Sequence, residues 1–104
     1  MNSNELYPLV FTPCYAERIW GGTLMTEHLH RQLPAANAPI GEAWEIVDRE
    51  DVQSVVANGP LAGKTLHELV LTHGQYLLGR AWNGGRFPLL VKLIDAGDRL
   101  SLQV

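Results

Sequence analysis

Residues 87–96, FPLLVKLIDA, form an almost unbroken apolar run with a single lysine, Lys92, inside it. The run reads as a strand. A strand buried on both faces carries little but aliphatic side chains. Lys92 therefore either snorkels at a sheet edge or points into a polar cavity, and the run itself leaves both open. GDR then turns the chain, and LSLQV (100–104) opens a further strand, with Leu100, Leu102 and Val104 on one face and Ser101 and Gln103 on the other. The sequence stops there in mid-pattern, with no turn or capping residue, and so reads as a chain cut inside a strand.

The upstream sequence has the same character. PLVF (8–11) is a short extended run that Pro13 cannot continue in a central position. ERIWGG (17–22) leads an aromatic residue into a Gly-Gly turn, and Thr23 is placed to cap a short helix over 24–30. In GEAWEIV (41–47), Ala43, Glu45 and Val47 alternate with Glu42, Trp44 and Ile46, giving a strand with a carboxylate on each face. QSVVAN (53–58) reads as its hairpin partner across the charged turn DREDV. Residues 1–7 read as a polar tail, 32–40 and 82–86 as loops, and GQYLLG (74–79) as a second helical piece. The expectation is a mainly β chain with short helices and no internal repeat or linker.

ANGPLAGKTLHELV (57–70) imitates a phosphate loop but has the wrong spacing. Four residues must separate the first glycine from Gly-Lys-Thr, so that successive N–H groups curl around a phosphate. Only Pro60, Leu61 and Ala62 lie between Gly59 and Gly63, the required glycine position holds Asn58, and Pro60 has no N–H to offer. Thr65 and Glu68 instead form a T-x-x-E capping box, followed by Leu66, Leu69 and Val70 at helical spacing.

Composition sets the outer bounds. The 104 residues are 46% hydrophobic, enough for a core, and carry a net charge of −3 with both signs interspersed. Without a basic run, nucleic acid and anionic membrane surfaces are poor partners. No apolar segment approaches the roughly 20 residues that span a bilayer. The N-terminal MNSNELYPLV lacks the regions of a signal peptide. A cytoplasmic protein is the simplest inference. Cys14 is the sole cysteine, which excludes an internal disulfide and a thiolate metal cluster. His28, His30, His67 and His73 do not share a ligand spacing, so surface positions suit them better than a metal site. Ser101 and Gln103 are, on their own, a polar outer face. The tryptophans Trp20, Trp44 and Trp82 serve equally as core anchors.

Five segments together carry a resemblance: FTPCYAERIWGG (11–22), GEAWEI (41–46), VANGPLAGKTLHEL (56–69), RFPLLVKLIDA (86–96) and LSLQV (100–104). In this order and separation the chain resembles the N-terminal portion of type I mannose-6-phosphate isomerases, in their short bacterial form. The resemblance implies part of a cupin-type β jelly roll that interconverts mannose 6-phosphate and fructose 6-phosphate with zinc. In that family a strand beginning L-S-x-Q-x-H supplies two zinc ligands, and a glutamate and another histidine come later. Gln103 then matches the first metal ligand, and the matching histidine would fall two residues beyond it. Ser101 and Lys92 match positions lining the substrate pocket, where a cation favours a phosphate or a developing enediolate. Trp20 and Glu42 match residues at or near the pocket.

One neutral amide cannot hold a zinc ion that takes several N, S or O ligands. The resemblance therefore implies the N-terminal part of an isomerase, inactive alone, whose general base cannot be assigned from these residues. A jelly roll has about eight strands in two sheets, of which about five can be counted here. Exposed strand edges invite association between copies, so the chain is expected to self-associate. The rival reading is a non-catalytic cupin-like module that binds a sugar phosphate or a protein partner.

Overall fold

The structure, a computed structural model, describes residues 6–33 and 38–99. The expected strand over 100–104, with Ser101 and Gln103, lies outside the described residues, as do 1–5 of the expected tail and 34–37 of the expected loop. The described elements are β1 (Phe11–Thr12), β2 (Cys14–Gly22), α1 (Leu24–Glu27), β3 (Ile40–Ile46), β4 (Val55–Val56), α2 (Leu66–Leu78) and β5 (Val91–Ile94). The architecture is mainly β with short helices, as the sequence implies. It forms two compact units, one from residues 6–13 and 45–91, the other from 14–33, 38–44 and 92–99.

The first unit is built on the phosphate-loop lookalike. Thr65 accepts the Glu68 backbone N–H at 3.1 Å and starts α2, whose Leu69 packs with Val56 and Leu61 in a buried cluster. The helical pieces expected on either side of His73 are one helix kinked there, since His73 leaves helical geometry at φ −128° and ψ 20°. Leu6 and Tyr7 do not belong to a polar tail: both pack against the Val56–Leu61–Leu69 cluster. The Tyr7 hydroxyl donates to the Asn58 carbonyl at 2.6 Å and accepts the Leu61 N–H at 2.9 Å. Gly59 sits at φ +70°, and a Cβ there would lie 2.6 Å from the Tyr7 ring. The Asn-Gly pair thus shapes a turn around a tyrosine.

Residues 53–58 are not the hairpin partner of β3. The expected hairpin closes only at its turn, through an Asp48–Gln53 bridge. Beyond that turn, β4 pairs antiparallel with β1, Phe11 opposite Val56. The Ser54 side chain accounts for the change: it accepts the Val47 N–H at 2.8 Å in place of a backbone carbonyl, which ends the ladder.

In the second unit the sheet order is β2-β3-β5. Gly21 and Gly22 are not a turn but the last residues of a nine-residue β2. A Cβ on Gly21 would stand 2.7 Å from the Gly41 backbone nitrogen, so the glycine permits close backbone approach rather than reversal. β2 pairs antiparallel with β3 through register shifts after Ala16 and Glu17. Met25, Ile40 and Ala43 form the core, joined by Tyr15, Leu33 and Ala38. α1 ends at Glu27, short of the expected 24–30. Thr23 occupies its N-cap position without a side-chain bond, and the buried Asp95 carboxylate accepts the Leu24 N–H at 2.8 Å instead.

The apolar run 87–96 yields only the four-residue β5, outermost in its sheet among the described residues, not a strand buried on both faces. Pro88 has no N–H for a ladder. Leu93 is 39% exposed and Ile94 51%.

Candidate active site around Glu42 and Lys92

Alternation along β3 puts Glu42 and Trp44 on one face, two residues apart. Their side chains meet: the Trp44 indole N–H donates to Glu42 Oε1 at 2.7 Å. Lys92, in β5, donates to the same oxygen at 3.1 Å. Arg18, in β2, places Nε 3.2 Å from Oε2. Each strand of the sheet thus contributes to one cluster. Its carboxylate side chain is only 3% exposed, whereas Lys92 is 29% and Arg18 40% exposed. The two openings left by the sequence close here: Lys92 is a half-buried edge lysine held by a buried carboxylate, with its ammonium 5.8 Å from the Trp44 ring centroid, within cation–π range.

A buried carboxylate is costly unless paired. Burial pushes the Glu42 carboxyl up, but the Trp44 N–H, the Lys92 ammonium and the Arg18 charge outweigh it and hold the group below the ordinary glutamate value. Two cations around one anion leave the cluster at net +1, suited to a phosphate or a developing oxyanion.

Trp20 is buried at 5% exposure, and its ring lies where a Cβ on Gly41 would come within 2.7 Å. Its carbonyl accepts the Gly97 and Asp98 N–H groups at 2.7 and 3.1 Å. Ser101 and Gln103 fall outside the described residues. Arg18 and Trp44 were not singled out as site residues. Trp44 had a readable signal in its i, i+2 relation to Glu42, whereas Arg18 lay in a segment read as leading to a turn.

Among the described residues no group of three or more His, Cys, Asp and Glu side chains could hold a metal ion. Glu42 does not fit the role either, because its oxygens face an indole N–H and two cations. The donor set described here does not fit zinc, and no chemical step is derived through it. His67 pairs with Asp48 instead (Nδ1 to Oδ2, 3.2 Å), and His73 is buried beside the Thr72 hydroxyl at 2.8 Å.

The first unit has its own buried carboxylate, which in the sequence is only one charge of the turn DREDV. The Asp48 side chain has no exposed surface and accepts hydrogen bonds from the Arg86 guanidinium (2.8 Å), the Phe87 N–H (2.9 Å) and the Gln53 amide. Burial pushes this carboxyl up, but the Phe87 N–H, the Gln53 amide and His67 more than offset it and hold the group below the ordinary aspartate value.

The sheet gathers a lysine, an arginine and a tryptophan around one buried carboxylate, and comparison with known proteins gives the family. Residues 9–104 match the catalytic domain of type I phosphomannose isomerase, and the chain belongs to that family. Mannose-6-phosphate isomerase ManA of Bacillus subtilis (strain 168) is 43% identical over 97 residues, covering 93% of this chain and 29% of that protein. A mannose-6-phosphate isomerase of Streptococcus mutans is 36% identical over a similar span. A crystal structure of the mannose 6-phosphate isomerase from Bacillus subtilis aligns with a TM-score of 0.73 at 40% identity, covering 86% of this chain and 27% of that one. The chain thus spans less than a third of the length of these relatives. With them the cupin-type fold expected from the sequence is established, and no helix among the described residues is long and apolar enough to cross a membrane.

Proposed function

We propose that this chain is the N-terminal portion of a cupin-type mannose-6-phosphate isomerase domain, with Lys92 facing the sugar phosphate. The observation that supports the reading is the net-positive Arg18–Glu42–Lys92 cluster within a chain 43% identical to ManA. Interconverting mannose 6-phosphate and fructose 6-phosphate moves a proton between C2 and C1 through an enediol, whose oxyanion needs fixed positive charge nearby. Lys92 supplies that charge. On the resemblance, we assign Ser101 and Trp20 to the same substrate site. If the whole enzyme holds zinc, Gln103 would be one of its ligands, and the metal would supply Lewis acidity. We place the activity in the cytoplasm.

A coupled isomerase assay with added zinc tests this on two proteins. One is the 104-residue chain; the other is a hybrid in which it replaces the matching segment of ManA. Turnover by the hybrid alone is the expected result. A folded, zinc-loaded hybrid without turnover contradicts the reading, and turnover by the 104 residues alone overturns the assignment of Gln103 to an incomplete ligand set. The exposed Leu93 and Ile94 on β5, outermost in its sheet among the described residues, lead us to propose in addition that the isolated chain self-associates. Sedimentation velocity at tens of micromolar should show dimer or larger, and compact monomer alone refutes it.

A further inference from the structure

We propose that Glu42 is a positioning residue, holding the Lys92 ammonium against Trp44 rather than touching substrate itself; as a statement about catalysis this rests on the isomerase reading above. The resemblance implies a residue at or near the pocket, and the geometry separates two ways of being there. An ionised carboxylate has about four lone-pair sites. Three are engaged, by Trp44 and Lys92 on Oε1 and by Arg18 on Oε2. The side chain is 3% exposed, so a ligand would have to displace a cation to reach it. The partly exposed groups are the cations, and a ligand meets those first.

The arrangement solves a problem that lysine poses. Its ammonium sits on a flexible stem and carries three donors that swing freely. An anchor that is itself fixed removes that freedom before a ligand arrives, which is what electrostatic preorganisation requires. Glu42 is such an anchor: the indole N–H fixes one oxygen and the guanidinium the other. Lys92 then uses one N–H on Glu42 and lies over the Trp44 ring. Trp44 therefore acts twice, orienting the carboxylate through its edge and receiving the cation on its face.

The chain contains only two lysines, Lys64 and Lys92, which makes a direct test possible. Reductive methylation with isotope-labelled methyl groups keeps both lysine amines cationic and gives one NMR signal for each, beside that of the N-terminal amine. Lys64 is exposed and serves as the internal reference. In the unmutated chain the Lys92 methyls should show contacts to the Trp44 ring and a ring-current shift away from the Lys64 position. Glu42→Gln should move the Lys92 signal onto that of Lys64 while the backbone amide pattern persists. A Lys92 signal that coincides with Lys64 in the unmutated chain overturns the proposal, and this measurement needs no variant to fold. So does a Lys92 signal indifferent to Glu42→Gln.

The ManA hybrid then separates positioning from contact. Glu42→Gln should lower kcat about 100-fold, the cost of a misplaced catalytic group, with KM little changed. The double variant with Lys92→Met should be no worse than either single change. A raised KM at unchanged kcat would mean that Glu42 binds substrate and would refute the positioning role. An inactive unmutated hybrid counts against the isomerase reading alone, and the NMR result still decides the positioning.

Discussion

Asp48→Asn in the first unit is the most informative single substitution for stability. Asn keeps the shape of the side chain and replaces one acceptor oxygen by an NH2. The two carboxylate oxygens of Asp48 each face two donors: Gln53 and Arg86 at Oδ1, Phe87 and His67 at Oδ2. With the NH2 at the Oδ1 position both Gln53 and Arg86 meet a donor; at Oδ2 the Phe87 N–H does, while the His67 ring nitrogen can change tautomer and accept. Gln53 cannot invert to compensate, because its Oε1 accepts the His67 backbone N–H at 3.1 Å. Arg86 and His67 are 45% and 35% exposed and can return to water, whereas the Asp48 position has no exposed surface. A hydrogen bond to a charged group is worth about 1.5–3 kcal/mol, and an unsatisfied buried group costs about 1–3 kcal/mol. Allowing for rehydration of Arg86 and His67, the substitution should cost about 2–4 kcal/mol. At roughly 4–8 °C per kcal/mol for a domain of this size, Tm should fall by at least about 8 °C in thermal denaturation at pH 7.

The same carboxyl gives the pH dependence a sign. Its folded-state value lies below the ordinary one, so its contribution is fully present above an unfolded-state pKa of about 3.9. It is lost as pH falls through the lower folded value, and the unmutated protein and Asp48→Asn should converge there. An exposed ion pair would be worth only about 0.2–1 kcal/mol. A Tm loss below about 2 °C at pH 7 would therefore refute the argument that Asp48 organises the turn, the helix start and the 86–87 backbone as one buried network.

Other outcomes follow from the same geometry. Gly41→Ala should lower stability by about 1–3 kcal/mol through overpacking, because its Cβ would lie 2.7 Å from both Arg18 Cβ and the Trp20 ring; a changed tryptophan emission spectrum should accompany the loss. Thr65→Ala should cost about 1 kcal/mol in denaturant titration by removing the acceptor for Glu68 N–H. Leu69→Ala, at 2% exposure in the first core, should cost about 2–5 kcal/mol in the same titration.

What could be read from the sequence was what is local in the chain. The Thr65 cap spans three residues, and the shared face of Glu42 and Trp44 spans two, so both patterns are written in adjacent letters. The rest depended on distant partners. Lys92 could not be assigned to an edge or a cavity because its carboxylate lies 50 residues away in sequence. Thr23 looked like the cap of α1, but Asp95, 71 residues downstream, takes the Leu24 N–H. Gly21-Gly22 was read as a turn because glycine serves both reversal and close approach, and only the backbone of residues 39–41 decides between them. The pairing of β4 with β1 was hidden for a related reason. A serine hydroxyl accepts the N–H that a β3 partner would need.

We propose that the ammonium held by Glu42 faces the reacting sugar phosphate. It is tested most directly by kcat of the ManA hybrid carrying Lys92→Met, measured at saturating mannose 6-phosphate with zinc bound and the fold verified. Loss of fixed positive charge at a developing oxyanion should lower kcat by about 100-fold or more. A hybrid that keeps its full kcat without the Lys92 ammonium would contradict the account and leave the cluster as a structural ion pair.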